Sequence, residues 1–141
     1  MNDFSQPISD EGREIQHKMN LILKEQGVQP DCIWHSPLLR AKETAKIIAK
    51  DFQAPLQEEN ALGSFFDEHD FIEKFPDPSK NALIFLVGHG PPLQKLFSYL
   101  VQNHEPSPII QNSAVLILEF PDSITPGSAI FLGYLSPNFY I

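Results

Sequence analysis

The chain predicts an α/β sandwich of three layers built around a mostly parallel sheet. Segments with apolar residues at helical spacing alternate with short apolar runs, the pattern of a sheet covered by helices. One run, Ala82 to Val87, is continuously apolar with no polar alternation, as expected of a strand buried on both faces. The last third changes to two strand-like runs, 114–120 and 129–135, joined by a turn rich in Pro, Asp, Ser and Gly, which adds an antiparallel edge. At 141 residues the length suits a single domain spanning 1–141 and hardly two.

The elements follow in order. From Ser9 to Gln26, Ile15, Met19, Ile22 and Leu23 recur at helical spacing; Ser9 suits the N-cap and Gly27 a left-handed stop. Cys32-Ile33-Trp34, between Pro30 and Pro37, is too short for a helix and is expected to be a buried strand. Ser36 and Pro37 then serve as N-cap and first helical residue of a helix that carries Leu38, Ala41, Ala45 and Ile48 on one face and ends near Asp51. A short strand at Leu56-Gln57 is followed by an aromatic helix through Phe65, Phe66, Phe71, Ile72 and Phe75, stopped by Pro76. After the strand at 82–87 and the Gly88-His89-Gly90 break, Pro91-Pro92 open a helix to about Gln102. The alternation begins with a helix, so a strand expected ahead of it is absent.

Composition narrows the functions. Eighteen acidic against ten basic residues give a net charge of -8, which repels phosphate backbones and argues against a nucleic-acid partner. Lys42, Lys46 and Lys50 lie along one helix but are interleaved with Glu43 and Asp51. The single cysteine, Cys32, excludes an intrachain disulfide, fits a cytoplasmic location and is expected to be a small buried hydrophobe. No stretch approaches a membrane span, and the polar, acidic N-terminus has neither signal-peptide nor transit-peptide character. No metal-ligand spacing or glycine-rich nucleotide loop occurs, so neither metal nor cofactor is expected.

Two places put polar residues directly after a buried strand, where open α/β sheets bind ligands. The first is His35-Ser36-Pro37-Leu38-Leu39-Arg40. A helix opening at Ser36 presents free N–H groups and a dipole that favour an anion, and Arg40 in its first turns can grip phosphate oxygens with two prongs. The ordinary alternative is a surface arginine beside a common cap. The second is Gly88-His89-Gly90, where glycines allow a sharp turn and the imidazole of His89 can donate to a phosphoryl oxygen or move a proton near neutral pH. A structural histidine in a tight turn is the alternative there.

Taken together these segments resemble the histidine phosphatase superfamily, the phosphoglycerate mutase-like group, and within it the SixA-like phosphohistidine phosphatases. Ile33 through Ala45, I-W-H-S-P-L-L-R-A-K-E-T-A, resembles the family's strand-Ser-Pro-x-x-Arg-Ala-x-x-Thr-Ala block. Gln6 to Arg13 resembles its Arg-Pro-Leu-Thr-x-x-Gly element, and Leu86 to Pro91 its Val-Gly-His element; 113–120 and 133–137 are similar to its closing strands. The resemblance implies a phosphoglycerate mutase-like fold and transfer of a phosphoryl group through a phosphohistidine intermediate, from phosphohistidine on a protein or from a small phosphorylated substrate. It implies Arg40 as a phosphate-binding arginine, His89 as the non-nucleophilic histidine, and the helix start at Ser36 as part of the phosphate site. Glu58, Glu59 and Asp67 are the carboxylates available as a general acid, although exposed acidic residues are the expected reading.

The chain departs from the family at its nucleophile. The family's Arg-His-Gly motif closes its first strand, and no Arg-His-Gly occurs here; Gln6 also replaces an arginine. The 141-residue form is therefore expected to be inactive, and a pseudophosphatase that binds phosphorylated partners is the alternative to an enzyme. His35 is the best substitute histidine by position, while His17, His69 and His104 are expected to be solvated. The absence is read as a start placed too far into the chain, ahead of a decayed remnant or a genuine short form. Because the family's first strand is interior to the sheet, its neighbours are expected to expose open edges that aggregate, self-associate or accept a shifted strand.

Overall fold

The computed structural model describes residues 7–59, 82–88, 100–101, 114–121 and 129–135. Among these the order is α1 (Asp10–Glu25), β1 (Cys32–His35), α2 (Leu39–Phe52), β2 (Leu56–Glu58), β3 (Ala82–Gly88), β4 (Ala114–Phe120) and β5 (Ile130–Leu135). The aromatic helix expected at 65–75, and all of the helix expected after Pro91 except Leu100 and Val101, lie outside the described residues.

Local chemistry sets α1 as expected. Ser9 is its N-cap, with Oγ accepting from the Gly12 N–H at 3.0 Å, and Gly27 at φ 82° turns the chain away after Gln26. Gly12 is closely packed: a Cβ there would lie 3.0 Å from Ile8 Cγ1 and 3.2 Å from Ser9 Oγ, so these side chains would have to give way by a few tenths of an ångström. The inward face differs from the amphipathic expectation. Gln16 and Asn20 are buried, whereas Ile15, Met19 and Leu23 are only half-buried and Ile22 is 46% exposed. The reason is that α1 packs against α2 through polar groups. Gln16 Nε2 donates to Asn20 Oδ1 (2.9 Å), Asn20 Nδ2 donates to Asp51 Oδ2 (2.9 Å), and His17 Nδ1 meets the same carboxylate at 2.7 Å.

Helix α2 covers the sheet. Leu38, Ala41, Ala45, Ile48 and Phe52 pack on Ile33 of β1, Phe85 and Val87 of β3, and Val115 and Ile117 of β4. Phe52 and Phe85 meet edge to face, with centroids 5.6 Å apart, the arrangement that ring quadrupoles favour. The alternate residues Trp34, Ile84, Leu86, Leu116, Leu118 and Phe120 are buried as well, so both faces of the central strands are covered, as in a three-layer sandwich.

The sheet order is β2-β1-β3-β4-β5. β1 pairs in parallel with β2 and β3, while β4 is antiparallel to both β3 and β5. Four of the five strands thus run one way, and the reversed strand is interior, not the edge that the sequence suggested. The expected open edge is closed: β3 carries β1 on one side and β4 on the other, the latter in register from Ala82↔Phe120 to Gly88↔Ala114. The outermost described strands are β2 and β5.

Candidate active site

The ends of β1 and β3 coincide because the two strands are parallel with His35 opposite Val87. The ladder continues one residue past β1, where the Ser36 N–H donates to the Val87 carbonyl at 2.9 Å. That bond keeps Ser36 in the sheet and moves the start of the helix. The N-cap is Leu38, in extended conformation, and α2 begins at Leu39. The expected Ser36 cap and Pro37 first turn are thereby corrected by two residues. Ser36 is fully buried, and its Oγ accepts from the Leu38 N–H over a long 3.4 Å.

The first helical hydrogen bond of α2 runs from the Lys42 N–H to the Leu38 carbonyl at 2.9 Å. The N–H groups of Leu39, Arg40 and Ala41 precede it and have no acceptor within the helix, as at any helix start. No acidic residue occupies the first turn, so nothing on α2 itself cancels the positive end of the helix dipole. Arg40 sits in this turn, half-buried. Among the described residues no carboxylate pairs with its guanidinium, whereas Arg13 is tied to Glu43 at 2.6 Å. An arginine in the first turn of a helix that follows a strand end lies, by its place in the chain, where a helix start favours a tetrahedral anion.

His35, the substitute nucleophile weighed from sequence, is buried, and its Nδ1 lies 2.8 Å from the Ser36 carbonyl. Since a carbonyl only accepts, Nδ1 carries a proton. Burial pushes the His35 pKa below its ordinary value, and the charges of Lys42 and Lys46 act the same way, against the Ser36 hydrogen bond and Glu58. Burial thus favours the neutral form of the His35 imidazole. Glu58 lies opposite His35 in the β1–β2 register and is exposed. Glu59 departs from the sequence expectation: it is buried, and its N–H donates to the His35 carbonyl at 2.8 Å. Burial raises the Cys32 thiol to about 11, and Trp34 Nε1 lies 3.1 Å from its Sγ; although only half-buried, it is an unreactive structural thiol.

His89 follows Gly88, the last residue of β3, and lies outside the described residues, as do Asp67, His69 and His104. His17 is exposed as expected, but it is engaged with Asp51. The polar atom that sequence reasoning did not flag is Thr44 Oγ1, buried one turn beyond Arg40 without a hydrogen-bond partner; only its place in the Thr-Ala pair of the motif marked it.

Residues 5–65 match the histidine phosphatase superfamily (branch 1), so the resemblance read from the motifs is borne out. The fold is shared with the protein histidine phosphatase SixA complexed with tungstate, at 21% identity and a TM-score of 0.71, over 99% of this chain and 90% of that one. A protein assigned as phosphohistidine phosphatase SixA from Agrobacterium tumefaciens is 16% identical with a TM-score of 0.68, over 97% of this chain and 87% of that one. Phosphoglycerate mutase from Plasmodium falciparum is 22% identical with a TM-score of 0.62, over 89% and 83% of the two chains. These likenesses establish the phosphoglycerate mutase-like fold. No curated protein matches the sequence significantly.

Proposed function

We propose that this chain, whose residues 5–65 are histidine phosphatase superfamily (branch 1) sequence, is a phosphohistidine phosphatase-like protein of one domain, 1–141. It holds the phosphoryl group of phosphohistidine, or of a related phosphorylated protein or small molecule, at the carboxyl ends of β1 and β3. The observation that carries this reading is Arg40 in the first turn of α2, without a carboxylate partner among the described residues and placed there by a strand end bonded from Ser36 to Val87. Arg40 and the N–H groups of Leu39, Arg40 and Ala41 take the phosphoryl oxygens. Ser36 holds the turn that presents them. His89, next in sequence after β3, donates to the same group. The likeness to a SixA that carries tungstate, a tetrahedral oxyanion like phosphate, supports the binding of an anion of that shape. A cytoplasmic location is part of the reading.

Donors gathered at the phosphoryl oxygens stabilise charge as it is redistributed in transfer. The nitrogen leaving from phosphohistidine is readily protonated near pH 7, so little general acid is required. Turnover through a phosphohistidine intermediate also needs a nucleophilic histidine in an Arg-His-Gly element, and these 141 residues contain none. That observation favours a second reading, a pseudophosphatase that binds phosphorylated partners without hydrolysing them. Buried His35 does not substitute, because a nucleophile requires in-line placement as well as proximity.

Phosphohistidine turnover and tungstate affinity, measured on the 141-residue chain and on a form extended with an Arg-His-Gly-bearing strand, separate the readings. Tungstate binding by both forms with turnover only in the extended one supports the phosphatase. Binding by both with turnover in neither supports the pseudophosphatase, and no tungstate binding in either form defeats both.

A further inference from the structure

The outer faces of α1 and α2 enclose a groove of about 460 Å³ lined by Arg13, His17, Lys42, Glu43, Lys46 and Lys50 among others. In sequence its lysines are interleaved with Glu43 and Asp51, which suggested mutual cancellation. In the structure neither acid pairs with these lysines, because α1 holds both carboxylates. Glu43 takes Arg13 through one oxygen (2.6 Å) and the Ile8 N–H through the other (3.0 Å). Asp51 takes His17 at 2.7 Å and Asn20 at 2.9 Å through one oxygen, and its carbonyl takes Lys24. Lys42, Lys46 and Lys50 are left as a row with no carboxylate partner among the described residues, Lys46 and Lys50 exposed and Lys42 half-buried.

We infer that this lysine row is a docking track for an acidic segment of a protein partner, laid beside the phosphoryl site at the start of α2. Charge complementarity selects the occupant: a positive row on a chain of net charge -8 attracts a short acidic segment locally while the remaining surface repels an extended polyanion. The spacing supplies a length. Eight residues of helix rise span about 12 Å, the reach of about four extended residues. Leu39, the residue before Arg40, also lines the groove, so the track ends at the turn assigned to the phosphoryl group. Lys42 and Lys46 are felt as far in as His35, whose pKa they help to lower, so the row's positive field extends to the sheet end. The substrate class that follows is a phosphorylated protein with acidic residues flanking the modified position; this rests on the phosphoryl-site reading of Arg40.

Fluorescence anisotropy on the 141-residue chain tests the track, using one labelled peptide with four consecutive glutamates and one with four glutamines. The glutamate peptide is expected to bind and the glutamine peptide not. The triple variant Lys42→Gln, Lys46→Gln, Lys50→Gln is expected to weaken glutamate-peptide binding about tenfold, as does raising salt to about 0.3 M. Circular dichroism verifies that the variant is folded. Arg40→Ala is expected to weaken tungstate binding far more than peptide binding, and the triple variant to weaken peptide binding far more than tungstate binding. Equal peptide binding by wild type and triple variant overturns the track and leaves the phosphoryl site standing. Peptide binding that depends on the lysines, with tungstate binding indifferent to Arg40→Ala, supports the track and removes the phosphoryl-site reading. An oligouridylate that binds the row more tightly than the glutamate peptide at equal salt overturns the acidic-protein assignment.

Discussion

Arg40→Ala separates a binding arginine from a structural one. The guanidinium is half-buried in the first turn of α2 and has no carboxylate partner among the described residues. Truncation therefore orphans no buried acid, and alanine is the best helix former. Folding stability should change by no more than about 0.5 kcal/mol. Bound to a tetrahedral oxyanion, the same group makes charge-assisted contacts worth about 1–3 kcal/mol, so tungstate or vanadate affinity should fall roughly 5- to 150-fold. Arg40→Lys keeps the charge but not the fork, and should fall between wild type and alanine. Isothermal titration with tungstate and urea unfolding of all three proteins give the two quantities independently. Unchanged affinity in Arg40→Ala refutes the assignment. So does an affinity loss accompanied by an equal loss of stability, which marks the arginine as structural.

Further predictions follow from the interior. Ile48 is fully buried in the cluster between α2 and the sheet, and Ile48→Ala should cost about 2–5 kcal/mol in urea unfolding. Asn20→Ala leaves Gln16 Nε2 without its acceptor and Asp51 with His17 alone on its carboxylate, and should cost about 1–3 kcal/mol, with the loss read as a lower melting temperature. The His35 pKa is lowered in the folded chain, so below its unfolded value, about 6.5, the unfolded state binds more protons. Wild-type stability should be flat above neutral pH and fall on acidification by at most about 1.4 kcal/mol per pH unit from this group. His35→Gln should lack that component, and parallel slopes for both proteins between pH 7.5 and 5.5 would remove it.

Elements governed by local chemistry were legible in the sequence. Ser9 and Gly27 bound α1 because an N-cap and a left-handed stop are properties of a few neighbouring residues. The run at 82–87 announced β3 because a strand buried on both faces has no polar alternation. What escaped was set by distant partners. Ser36 and Pro37 have the composition of a helix start, but the Ser36 N–H is spent on Val87 across the sheet, so two more residues are needed before the chain can turn. The left-handed end of α2 falls on Gln53 at φ 53°, a residue that gives no signal of it. The apolar stripe of α1 suggested its inward face, yet α1 meets α2 through Gln16, Asn20 and Asp51, a choice visible only once both helices are in place. Glu59 passed for a surface acid because its burial depends on extending β2 alongside His35. The candidate site shows the same division: Arg40 and Ser36 were named from their spacing, whereas the lysine row emerged only when α1 was seen to occupy the intervening acids.

The sheet's polarity determines which residues can reach that site. β1, β2 and β3 run in parallel, so it is their carboxyl ends, at His35, Glu58 and Gly88, that meet at one end of the sheet. β4 runs against them, and its first residue, Ala114, stands opposite Gly88, while Phe120 stands opposite Ala82 at the far end. A side chain from β4 can therefore reach this end of the sheet only from the start of that strand. The direct β3–β4 ladder makes this arrangement stiff. Seven register pairs hold Gly88, and the bond from Ser36 to Val87 ties β3 to the entry of α2. A shift of β3 along the sheet would thus move the start of α2 with it, so the Arg40 turn is positioned by the central strand and not by an independent loop.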